Sequence, residues 1–340
     1  MSPRFQSLCV LAFISIAASA AGSASAQEHP RGDVLGQVST YTVVAHDTLA
    51  DIARKNEIGL TELVAANPTI TSATVHPGQT LTIAGRHLLP MGMRSGIVVN
   101  LAELRLFRFL PDGRVLTAPI SVGREGWDTP AGTTKVVEKR ENPVWTIPAS
   151  IRAEKPSLPD KIQPGPDNPL GKYALTLGWP GYLIHGTNAP SSIGKPSSHG
   201  CIRLYPEDIA ALFAVTPVGE TVTVIDTPVT LGQQDGVLYL QVTPTRAQAI
   251  QIVSFSDAPA LDDNDGNIRA LKVRLNEMQA RGAKIDGNAV NAAIARHDGI
   301  PVAIGRMAVQ TVASTPQPKS WLDQIADMAT AAWANITGAD

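Results

Sequence analysis

Two short stretches decide how this chain is read: Tyr182-Leu183-Ile184-His185-Gly186-Thr187 and, a loop later, Ser197-Ser198-His199-Gly200-Cys201-Ile202-Arg203-Leu204. The first reads as a strand that delivers His185 at its end. The second places a thiol in a basic, glycine-containing loop, with His199 two residues before Cys201 and Arg203 two residues after. An unperturbed thiol is mostly protonated at neutral pH, so a reactive cysteine needs a base or a positive charge beside it. Spacing alone leaves the base open between His185 and His199. Gly186 and Gly200 let backbone approach closely and offer N–H groups to an oxyanion. A buried structural thiol among core histidines is the bland alternative, and the clustering of His, Gly, Cys and Arg argues against it.

The chain has two cysteines. Cys9 lies in an apolar leader: Met1 to Arg4 is short and basic, Leu8 to Ala21 is apolar or small, and Ala24-Ser25-Ala26 fits the small-x-small cleavage rule. Residues 1–26 are therefore expected to be a signal peptide cut before Gln27. The apolar run is too short and too rich in Ala and Ser for an anchor, and no later stretch can span a bilayer. Cys201 then remains as one thiol in an exported, extracytoplasmic protein, most simply a nucleophile. A net charge of −2 provides no field for nucleic acid. Low charge, 26 prolines and 28 glycines suggest β-rich units joined by ordered loops. Asp262-Asp263-Asn264-Asp265-Gly266 lacks the ligand spacing of an EF-hand and reads as a solvated turn, so no metal is expected.

Gln27 to Ser39 reads as a polar linker. Residues 40–84 follow as a compact unit. Tyr41 to Val44 alternates like a strand, Asp47-Thr48 resembles an N-cap before Leu49, Ile52 and Ala53, and a second helix from Thr61 ends at Asn67-Pro68. Pro77-Gly78-Gln79 turns into the strand Thr80 to Ile83. This β-α-α-β unit resembles a LysM module. The resemblance implies binding to N-acetylglucosamine-containing glycan, here peptidoglycan, at Asp47, Thr48, Leu49, Asn67, Pro68 and Ile70. His46 departs from the pattern, because many relatives have glycine there.

From Arg94 the pattern becomes strands: Ile97 to Asn100, Glu103 to Phe109, Val115 to Val122, Thr133 to Lys139, Ala174 to Leu177, Tyr182 to His185 and Thr221 to Ile225. Pro206-Glu207-Asp208 opens a helix. Asn142 to Pro148 is rigid and aromatic, and Lys155 to Asn168 is a long proline-rich loop. His185-Gly186-Thr187, Ser198 to Leu204, Asn142-Pro143-Val144-Trp145 and Gly165 to Gly171 together resemble the YkuD-type L,D-transpeptidase signature over residues 94–227. With the preceding LysM-like unit, the chain is similar to the Gram-negative periplasmic ErfK/YbiS-like branch. Many relatives carry asparagine where this chain has Arg203.

The resemblance implies a mainly β catalytic domain, a YkuD-type β-sandwich. Residues 228–340 then form a C-terminal α/β extension, with helices expected over Ile268–Arg281 and Trp321–Asn335 and a strand over Gly236–Val242. It implies that Cys201 attacks the third-residue carbonyl of a tetrapeptide stem and expels D-alanine, with His185 as base and the Gly186 carbonyl orienting its ring. Gly200 and Cys201 N–H groups would hold the oxyanion, His199, Ser198 and Arg203 would shape the pocket, and Thr187 and Trp145 would contact substrate. No cofactor is implied. The acceptor is left open between a neighbouring stem's diaminopimelate and the lysine of an outer-membrane lipoprotein. Resolution by water, giving an L,D-carboxypeptidase or a peptidoglycan–lipoprotein amidase, is one alternative class. A non-catalytic wall-binding protein is another.

Overall fold

The computed structural model describes residues 27–261 and 264–307. The expected signal peptide and the helix expected over Trp321–Asn335 lie outside them. No helix among the described residues is long and apolar enough to cross a membrane.

The N-terminal unit runs strand, helix, helix, strand. Ser39–Thr42 pairs antiparallel with Thr80–Ile83, and helices α1 (Leu49–Lys55) and α2 (Leu60–Ala65) lie between them in sequence. Thr48 caps α1 by accepting the Asp51 N–H. Leu49, Ile52, Ala53, Leu63, Ile70 and Leu81 are buried together in the unit's core. The departure at His46 has a backbone consequence: its φ is +69°, a region glycine enters at little cost. The preceding segment is not the free linker expected from its polarity. Gln27–Glu28 pairs with a strand of the following domain, and Val34–Gly36 pairs with Arg86–Leu88.

The next unit is built on strands β1 (Gly96–Asn100), β2 (Arg105–Phe109), β3 (Val115–Pro119), β4 (Gly132–Glu141), β5 (Tyr173–Leu177), β6 (Leu183–His185), β7 (Ile202–Arg203) and β8 (Thr221–Ile225). Their spatial order is β3-β2-β1-β8-β4-β5-β6-β7. The long β4 serves both halves: Gly132 to Lys135 pairs with β8, and Val136 to Glu141 pairs with β5 across a register shift. Such an irregularity bends the strand. Leu106 from one half and Leu175, Ile184 and Ile202 from the other meet in one core, closed by Ile209 and Leu212 of helix α4 (Pro206–Val215). The opposite face of β2 is also covered, because Phe107 and Phe109 pack with Leu35 and Leu89. This double coverage explains why β2 is buried throughout, including Arg105 and Arg108.

Beyond residue 228 a four-stranded sheet forms from Val229–Gln234, Val237–Val242, Val302–Arg306 and Lys284–Ile285. The Asp235-Gly236 turn has two positive φ angles, the geometry that joins tight hairpins. The expected helix is present as Gly266–Ala280, with Asp265 of the acidic turn as its N-cap.

Candidate active site

The parallel pairing of β6 and β7 creates the site. Ile184 stands opposite Ile202, and His185 opposite Arg203. Side chains alternate along a strand, so Ile184 and Ile202 fill the core while His185, Cys201 and Arg203 share the other face. All three line one cavity of about 470 Å³. Its remaining wall comes largely from residues 144–170, a strap in which Trp145–Thr146 pairs with Lys161–Ile162 around helix α3 (Ala149–Glu154). Asn168 fastens the strap. It is fully buried, its Nδ2 donates to Pro143 O at 2.8 Å, and its Oδ1 accepts the Leu170 N–H at 2.9 Å.

His185 is buried, and its Nδ1 lies 2.7 Å from the Gly186 carbonyl. A carbonyl only accepts, so Nδ1 carries the hydrogen and Nε2 is left as the basic nitrogen. Burial, then the Arg203 charge, pushes the imidazole down to about 3, against the pull of the Gly186 and Leu170 carbonyls. The ring is therefore neutral at physiological pH. Burial pushes the Cys201 thiol up, while the Leu183 backbone and the Arg203 guanidinium pull it down. The resting pair is thiol and imidazole, not thiolate and imidazolium. Arg203 is half-buried, and its Nε finds no hydrogen-bond partner among the described residues.

His199 sits differently. Its Nε2 is 3.0 Å from Glu154 Oε2 and 3.2 Å from Arg124 Nη2, and its ring meets Trp127 edge-on at 4.8 Å. It lines the cavity, held by an ion-paired cluster that the sequence reading missed. Arg124 and Trp127 share one turn and Glu154 ends helix α3, and none stands at a telling distance from the cysteine motif.

Three groups of expected residues sit elsewhere than the resemblance implies. Ser198 is fully buried: its hydroxyl donates to Cys201 O at 2.6 Å and accepts the Gly200 N–H at 3.1 Å. It braces the turn and does not line the cavity, and the Gly200 N–H expected at the oxyanion is already engaged. Gly200 is still required, since its φ is +98° and a Cβ would lie 3.0 Å from Tyr182. Thr187 is buried and caps the Ala189 N–H, so it too stands outside the cavity wall. In the N-terminal unit the expected sugar-binding groups are spent internally. Asp47 accepts from Tyr41 OH and Val44 N, each at 2.8 Å. Asn67 bonds Leu63 O and both backbone groups of Thr82. Leu49 and Ile70 are core residues and the Thr48 hydroxyl caps α1, while Thr48 and Pro68 are the two exposed residues of the six.

A thiol, an imidazole with a fixed tautomer and a guanidinium line one strapped cavity, the set of groups that cysteine acyl transfer requires. Residues 94–225 match the family model of the L,D-transpeptidase catalytic domain, and residues 41–84 match the LysM domain. The probable L,D-transpeptidase ErfK/SrfK of Escherichia coli K12 is 38% identical over 81% of this chain and 89% of its own length. The probable L,D-transpeptidase YcfS of the same strain is 35% identical over 82% and 88%. The probable L,D-transpeptidase YbiS is 41% identical over 62% and 71%. The chain belongs to the L,D-transpeptidase family, with a LysM domain ahead of its catalytic domain.

Proposed function

We propose that the protein is an exported enzyme of the periplasm that exchanges the terminal residue of peptidoglycan tetrapeptide stems through a thioester on Cys201. The observation that carries this reading is the shared face of His185, Cys201 and Arg203 fixed by the β6–β7 register. In acylation, His185 Nε2 takes the thiol proton as sulfur attacks the carbonyl of the third stem residue. The tetrahedral intermediate collapses, the C–N bond to D-alanine breaks, and the imidazolium returns its proton to the leaving amine. An acceptor amine then attacks the thioester, with the same imidazole taking its proton and returning it to sulfur.

A neutral resting pair suits this order of events. The thiol is deprotonated only as it attacks, with His185 Nε2 taking the proton in the same step. With the Gly200 N–H engaged by Ser198, the Cys201 N–H is the remaining oxyanion donor of the pair expected there. Arg203, which lines the cavity, offers its guanidinium to a stem carboxylate. The acceptor we favour is the side-chain amine of diaminopimelate on a neighbouring stem, giving 3→3 cross-links. A lipoprotein lysine would use the same thioester. The LysM domain would hold the enzyme on glycan through backbone groups and the surface around Pro68.

The test is product analysis. Purified disaccharide-tetrapeptide incubated with the protein should yield free D-alanine and a 3→3 dimer by mass spectrometry. Tripeptide without any dimer, at saturating acceptor amine, would overturn transfer in favour of hydrolysis.

A further inference from the structure

The sequence presents the LysM domain as a separate anchor, yet α2 is seated against the loop that joins His185 to Cys201. Thr61 gives two donors to one carbonyl of that loop. Its buried hydroxyl lies 2.6 Å from Gly194 O, and its N–H lies 3.1 Å from the same atom. Two glycines make this approach possible. A Cβ on Gly194 would lie 2.1 Å from Leu60 N, and one on Gly59 would lie 2.8 Å from Gly194 Cα. The loop is then tied onward toward the thiol. Gly194 N–H donates to Ile120 O at 3.0 Å, Ser121 Oγ meets Lys195 O at 2.8 Å and Ser197 Oγ at 2.9 Å, and Ser198 braces Cys201.

The chain downstream of Cys201 is held by the same domain. Tyr205 OH donates to Ile58 O at 3.4 Å, and Arg54 pairs with Glu207 through two 2.8 Å bonds. Beside Thr61, Glu62 accepts the guanidinium of Arg105, which is 1% exposed on β2. A buried pair of this kind resists separation, because parting it strands a charge.

We propose that the LysM domain is a positioning element of the catalytic centre, with Thr61 setting the Gly194 carbonyl and through it the placement of the Cys201 thiol relative to His185. Thr61 acts through the loop and touches no reacting atom. The inference rests on Cys201 being the acylated residue.

Thr61→Val keeps the shape and removes the hydroxyl donor; Thr61→Ser keeps the donor. Both are compared with wild type in the full chain, with a carbapenem as the acylating probe. Thr61→Val should lower the acylation rate about five- to tenfold. It should also change the pH profile of Cys201 alkylation by iodoacetamide, while sedimentation with insoluble peptidoglycan stays the same. Thr61→Ser should recover most of the rate. If Thr61→Val matches wild type in rate and pH profile, or if Thr61→Ser is as slow as Thr61→Val, the positioning role is overturned. Should Thr61→Val not fold, Arg54→Met decides: a rate two- to threefold below wild type with unchanged sedimentation supports the inference, and an unchanged rate overturns it. Failure of wild type to form any adduct would instead overturn the role of Cys201.

Discussion

Replacing Asn168 by alanine should open the strap over the cavity. Its Nδ2 donates to Pro143 O at 2.8 Å, with longer contacts to Gln163 O at 3.2 Å and Ile162 O at 3.3 Å. Its Oδ1 takes the Leu170 N–H at 2.9 Å. Alanine leaves two well-made bonds without partners at a fully buried position. Each unsatisfied group costs about 1–3 kcal/mol, so a loss of about 2–4 kcal/mol is expected after partial access of water. The strap supplies Trp145, Ile151, Leu158 and Ile162 to the cavity wall, so the loss should appear in substrate binding before chemistry. KM for a stem donor should rise by tenfold or more while kcat falls less. Urea unfolding read by far-UV circular dichroism should show the stability loss. Asn168→Asp should be no better at pH 7.5, since a carboxylate would face three carbonyl oxygens. An alanine variant within 0.5 kcal/mol and twofold in KM of wild type would refute the reasoning.

His185→Ala should slow carbapenem acylation by about 10² to 10⁴, the usual contribution of a general base, whereas His199→Ala, whose ring is tied to Glu154, should lose less than tenfold. Stopped-flow rates across pH 6–9 check this, and the reverse order would exchange the two roles. Arg203→Met should raise the alkylation midpoint of Cys201, because the guanidinium pulls the thiol down. It should also lower stem acylation by about tenfold or more, from the loss of a charge-assisted bond of about 1.5–3 kcal/mol. Unchanged alkylation and acylation would count against it. His87 is buried, and burial, then the Arg105 charge, pushes it down to about 3 against the pull of Glu62. The unfolded chain takes up a proton there below about pH 6.5 that the folded chain refuses, so stability present at pH 7 is lost as pH falls toward 3. Glu103, raised by burial to about 6, acts oppositely between about 4.5 and 6. His87 Nδ1 lies 3.3 Å from Glu103 Oε1, so wild type is compared with His87→Gln in the Glu103→Gln background, where the protein with His87 should lose about 2 kcal/mol more between pH 7 and pH 5. Equal losses in both would contradict this.

Spacing narrowed the partner of Cys201 only to His185 or His199, and the resemblance favoured His185; the β6–β7 register that sets His185 opposite Arg203 has no local signature. The alternation of β2 was legible, but not its burial. Arg105 and Arg108 look solvent-facing in sequence, yet they meet Glu62 and Glu220 across elements 43 and 112 residues away. The strands at Gln27–Glu28 and Val34–Gly36 were missed because two or three residues show no alternation. The same applies to Trp145–Thr146 and Lys161–Ile162, which exist only as each other's partners. In the LysM domain the polar residues were seen and their direction was not. A pattern containing Asp47 and Asn67 reads the same whether those side chains meet a sugar or, as here, their own backbone. The docking of Thr61 on Gly194 has no sequence signature, because Gly59 is accounted for locally as the N-cap of α2 and Gly194 by its φ of +78°.

The thioester on Cys201 is tested most directly by intact-protein mass spectrometry after incubation with a disaccharide-tetrapeptide donor and an acid quench. Wild type should carry an adduct equal to the donor minus its terminal D-alanine, localised to the peptide containing Cys201, and release an equivalent amount of D-alanine. Cys201→Ala should carry no adduct and release none. An adduct on the variant, or release of D-alanine by it at the wild-type rate, would contradict the central claim.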